Sequence, residues 1–166
     1  LLGSLVYKVD EKYALEKIAE LLQWHIDTLG FHRSYNTLTH SKFLNNLHEI
    51  KSILLYFNRI VPKIINFSLL NMASLLRHYF HDDGSICMFN GSNNSHISKI
   101  NLLLKNNEFF KKRKFDKNAN GIAFYNDKNK KIFLDVVQPT KLDFNKNLCA
   151  STFALEFSGF GEKIIT

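Results

Sequence analysis

A chain of 166 residues is long enough for one ordinary domain or for parts of two, and its 45% hydrophobic and 13% aromatic content excludes a disordered polymer. A net charge of +7 favours polyanionic partners (nucleic acid, acidic polysaccharide, anionic membrane), although a solvated Lys-rich surface is the commoner cause of such a charge. No apolar run reaches the roughly 18 residues that a membrane-spanning helix needs, and two cysteines, Cys87 and Cys149, leave the redox compartment open.

In chain order, Asp10 to Thr28 reads as a helix. Asp10 is its candidate N-cap, Tyr13, Leu15, Ile18, Leu21 and Leu22 form its apolar stripe, and Gly30 ends it. A short loop presents His32, Arg33, Ser34, Tyr35 and Asn36. A second helix is expected from about Thr37 to Asn58, with Phe43, Leu44, Leu47, Ile50, Leu54 and Phe57 on one face. Pro62 opens a third, which continues to Tyr79. Three helices with short connections pack as antiparallel neighbours.

Beyond Asp83 and Gly84 the pattern loosens, and Asn90 with Gly91 marks a turn. Ser95 to Lys105 reads as a short helix capped by Ser95, followed by a basic, irregular stretch. From Gly121 the period becomes two. GIAFY and KIFLDVV form one expected hairpin and STFALEF and EKIIT another, with Pro139 placed after a strand that it could not continue. The expected fold class is therefore α+β: helices first, antiparallel strands second, with the boundary between Asn93 and Asn120. The start at Leu1 without a leader and the stop directly after Ile164 and Ile165 read as a fragment, with localisation open between periplasm and cytoplasm.

Several groups carry chemistry. His78 and His81 stand three apart, a spacing that can hold two metal positions on a helix; a helix end with histidines at the negative pole of its dipole explains them more simply, and no metal is expected. Arg33 can take a carboxylate through its planar fork, and His32 can relay protons near neutral pH. The amides from Asn90 to Asn94 suit hydroxyl-rich ligands and equally suit turns. Lys111, Lys112, Arg113 and Lys114 among phenylalanines raise the alternative of a basic nucleic-acid-binding helical module, but no nucleic-acid motif surrounds them and none is expected as partner.

Three stretches together resemble the heparinase II/III family of polysaccharide lyases: QWHIDTLGFHRS at 23–34, RHYFHDDGSICMFNGS at 77–92 and CASTFALEFSGFGEKIIT at 149–166. The resemblance implies that residues 1–92 are the last helices of an incomplete (α/α) toroid, 93–119 a linker with a short helix, and 120–166 the first strands of a β-sandwich. It also implies β-elimination on a uronic-acid polysaccharide without a cofactor: a base removes the proton alpha to the carboxylate while amide, His or Arg groups neutralise that carboxylate. On this reading His32, Arg33, Tyr35 and Cys149 are the catalytic candidates, and Arg33, His81, Asp83 and Asn90 line the sugar. Two positions depart from the family pattern: Cys149 stands where relatives have His, and Tyr35 where they commonly have Pro. A non-catalytic acidic-carbohydrate binder on the same scaffold is the alternative.

Overall fold

The computed structural model describes residues 10–105, 121–137, 142–145 and 152–165. Helix α1 spans Glu11–His25 and begins where the Asp10 carboxylate accepts from the Tyr13 N–H at 3.0 Å. Its expected stripe is only partly used. Leu22 is buried and Leu15 and Ile18 pack against the core, but Tyr13 and Leu21 are exposed, because α1 lays one narrow face on its neighbours. Helix α2, Thr37–Tyr56, is capped by the Asn36 side chain accepting from the Thr39 N–H at 2.7 Å. Helix α3, Lys63–Leu76, follows Pro62, which occupies the cap itself.

Here the structure departs from the expected third helix. It tightens into a 3-10 turn at Arg77–Tyr79 and stops, and Phe80 pairs with Ile86 across a tight turn in which Gly84 has φ of +82°. His78 and His81 therefore do not share a helix face: His78 stacks on Phe124, whereas His81 turns towards the sheet. The short helix α4 is Ile97–Leu104, and Ser95 is not its cap; the preceding residue is His96, which makes no side-chain capping bond.

Strands β1 (Ile122–Asn126), β2 (Lys130–Asp135), β3 (Leu155–Gly159) and β4 (Glu162–Ile165) form an antiparallel sheet in sequential order, with the one-turn helix α5 (Leu142–Asn145) between β2 and β3. Phe133 lies opposite Phe124 on one side and Glu156 on the other. A bulge between Phe157 and Ser158 shifts the register against β4. The α+β class is thus the observed one, and no helix among the described residues is long and apolar enough to cross a membrane.

Two apolar clusters hold these elements. The first joins Leu44, Leu47 and Leu54 of α2 to Ile65, Leu69, Met72 and Leu76 of α3, with Ile100, Leu103 and Leu104 of α4 closing it. Truncating a fully buried member such as Leu44 to Ala costs about 2–5 kcal/mol. The second is built from both halves of the chain: Phe31, Leu75, Tyr79, Cys87 and Phe89 meet Ile122, Phe133 and Val137. Cys87 is a fully buried member of that cluster, and burial raises its thiol pKa well above the usual value, so it acts as a small apolar side chain.

Candidate functional site

The segment between α1 and α2 folds back on itself through one aspartate and one glycine. Asp27 Oδ1 accepts from the N–H groups of Leu29 at 2.9 Å and Phe31 at 2.8 Å. Gly30 takes φ of +97°, and a Cβ there would meet the Asn71 Cβ at 2.8 Å, so no other residue fits without displacing α3. The returning strand pairs with the outgoing one: Asp27 N–H donates to the Phe31 carbonyl and Arg33 N–H to the His25 carbonyl. This short hairpin holds His32 and Arg33 in different surroundings.

Arg33 is exposed and borders a cleft of about 310 Å³ between α1 and α3. Gln23, Asp27, Ser68 and Asn71 supply its polar wall, while Ile64 and Phe67 supply an apolar one. Tyr35 does not line this cleft; its ring stacks on Phe31 at 5.7 Å and its hydroxyl lies 3.5 Å from Asp27 Oδ2. Burial and the neighbouring Asp27 carboxylate raise the phenol pKa above its usual value, so Tyr35 is protonated at neutral pH. It is a proton donor there, not a base.

His32 is buried and takes part in a different arrangement. Its Nδ1 accepts from the Ser34 N–H at 3.2 Å and lies 2.8 Å from Ser34 Oγ, while its Nε2 lies 3.2 Å from His25 Nδ1. An Nδ1 that accepts leaves the proton on Nε2, which donates to His25. Burial, then His40 and His25, lowers the His32 pKa to about 3. His40, fully buried in α2, accepts from the His32 N–H at Nδ1 (3.2 Å) and donates from Nε2 to the Met72 carbonyl (3.0 Å). Burial lowers its pKa to about 4 although the bond to Met72 acts the other way. At neutral pH both imidazoles are uncharged, and they fix the backbone that presents Arg33. Nothing in the local sequence marks His40 for this task, because its partners come from a turn and from another helix.

Asn90 adopts φ of 55° and is buried. Its Nδ2 donates to the Tyr35 carbonyl at 3.2 Å and its own carbonyl accepts from Asn36 Nδ2 at 2.7 Å. Next to it, Thr37 Oγ1 donates to the Cys87 carbonyl at 2.6 Å. These bonds place Asn90 behind Tyr35 as a tie between the turn at 89–91 and the start of α2.

His81 and Asp83 lie elsewhere, and the His81 ring packs edge-on against Phe133 at 4.8 Å. His81 Nε2 meets Glu156 Oε2 at 2.8 Å and its Nδ1 meets Ser158 Oγ at 2.9 Å. Lys163 Nζ stands 2.8 Å from the same carboxylate oxygen, and the Met88 N–H donates to the other at 2.6 Å. Burial works against the Glu156 charge, but the bonds from His81, Lys163 and Met88 outweigh it and hold the pKa below the usual value. Asp83 is exposed and accepts from the Ser85 N–H (2.8 Å) and hydroxyl (2.7 Å), which overcome the opposing effect of burial and lower its pKa. Cys149 and Lys111 to Lys114 lie outside the described residues, and no group of three or more metal-binding side chains occurs among the described ones. No family model matches this chain, and neither a curated protein nor a solved structure matches it.

Proposed function

We propose that this chain is part of a heparinase II/III-like protein that engages an acidic polysaccharide, with Arg33 taking a uronate carboxylate in the cleft between α1 and α3. The observation that carries this reading is the exposed guanidinium beside Gln23, Asn71 and Phe67. A fork of donors, amides for hydroxyls and an apolar ring for a sugar face are what an acidic saccharide requires. The three resembling stretches, the order of helices before antiparallel strands and the charge of +7 agree with it.

In a β-elimination, Arg33 would neutralise the carboxylate so that the proton alpha to it becomes more acidic, but a base must still take that proton, and protonated Tyr35, whose hydroxyl faces Asp27, does not supply one. His32 does not suit proton abstraction: it is buried, its Nε2 is directed at His25, and its pKa is about 3. That observation favours the second reading, a binder that performs no elimination.

The test is to offer the protein a panel of uronic polysaccharides and follow both binding and the ultraviolet absorbance of unsaturated uronides. Absorbance that R33A abolishes supports a lyase. Binding without absorbance supports the binder, and in that case absorbance gained by C149H identifies a decayed lyase. Absence of binding to every uronic polysaccharide removes both readings.

A further inference from the structure

A second cavity lies on a different pair of helices from the Arg33 cleft. It is a groove of about 140 Å³ between α2 and α4. Lys42, Asn45 and Asn46 reach it from α2, at the spacing that places residues on one helix face. His96 and Lys99 reach it from the start of α4, and Ile100 and Leu103 form its floor. Among the described residues no carboxylate lines it. Neither Lys42 nor Lys99 forms an ion pair among the described residues, although other surface lysines do, such as Lys17 with Glu20 and Lys131 with Asp82. Glu49, one turn along α2 from Asn45, accepts one amide hydrogen of Asn45 at 2.7 Å, which leaves that amide a second donor. Ser41 Oγ donates to the Leu38 carbonyl and so offers an acceptor only.

We propose that the groove between α2 and α4 binds a tetrahedral oxyanion, the phosphate or sulfate group of a monoester, through Lys42 and Lys99 with the amides of Asn45 and Asn46. The volume holds several water molecules and therefore one such group. Lys42 and Lys99 are both exposed at the groove, so an anion seated over its apolar floor would be drawn to two ammonium groups at once. Ammonium groups are flexible point-charge donors suited to phosphate and sulfate, whereas the planar fork of Arg33 suits a carboxylate. This site is independent of the Arg33 reading and stands or falls without it.

The experiment titrates the full chain at low ionic strength with inorganic phosphate and with inorganic sulfate, following the side-chain amide resonances of Asn45 and Asn46. Saturable shifts are expected, weakened about tenfold in K42Q/K99Q and weakened by added salt. Where the double substitution alters the far-ultraviolet spectrum, K42Q and K99Q taken singly are each expected to weaken binding about threefold. A sugar phosphate and a sugar sulfate then separate the two sources, since the one that binds more tightly names the ester. No saturable shift with either anion, or K42Q/K99Q titrating as the wild type, overturns the proposal.

Discussion

Two histidine-bearing regions of this molecule solve the burial of imidazole in opposite ways. Where the turn after α1 meets α2, His32 and His40 are packed against aromatic rings and neutral hydrogen-bond partners, and burial drives their pKa values to about 3 and about 4. At the junction with the sheet, His81 is as deeply buried but faces the Glu156 carboxylate, itself held by Lys163 and a backbone N–H. The first arrangement tolerates no charge, while the second is organised around one. A buried histidine is therefore not a functional signal by itself; its partners decide whether it is neutral mortar or part of an ionic joint.

The comparison breaks most sharply with acid. His32 and His40 bind protons in the unfolded chain near the ordinary value of 6.5 but in the folded chain only near 3 and 4. The unfolded state thus takes up protons first, so their contribution is complete above about pH 6.5 and is lost as pH falls towards 4. The expected loss between pH 7 and 4 is about 5 kcal/mol, read from denaturant midpoints at each pH. A flat profile over that range contradicts the neutral-histidine account.

The ionic joint should break next. E156A leaves His81 and Lys163 without their shared carboxylate and the Met88 N–H without an acceptor, and is expected to cost about 3–5 kcal/mol. E156Q keeps the shape and should cost less. If both variants unfold at the wild-type midpoint, the joint contributes nothing. G30A comes third, at about 1–3 kcal/mol, because it combines φ of +97° with a clash against Asn71, and it should also weaken uronate binding by shifting Arg33. The smallest effect on stability belongs to R33A, within about 0.5 kcal/mol, while uronate affinity falls about tenfold or more. A calorimetric titration on a folded R33A variant distinguishes a binding residue from a structural one.

Much of this architecture is legible in the sequence. The 3.6-residue period of α1 to α3 and the alternation after Gly121 are local patterns, and local patterns depend on which residues neighbour each other in the chain. The termination of α3 at Leu76 was not legible, since Arg77 and His78 carry no breaker and the helix stops because Phe80 must pair with Ile86. Nor was the exposure of Tyr13 and Leu21, because a sequence stripe does not say how many neighbours a helix will meet. Of the candidate site, the sequence places His32, Arg33 and Tyr35 in one loop, but the cleft that gives Arg33 its surroundings needs Asn71 and Phe67 from α3.

The amino-acid sequence by itself determined the main elements, their order and the α+β class. The tertiary structure alone decided which polar groups serve the fold and which face outward. Asn90 became a tie behind Tyr35, and His81 became half of a joint with Glu156, seventy-five residues away in sequence. Hydrogen-bond partners so distant leave no periodic trace, because the pairing depends on where two separate elements meet in space and not on the spacing within either.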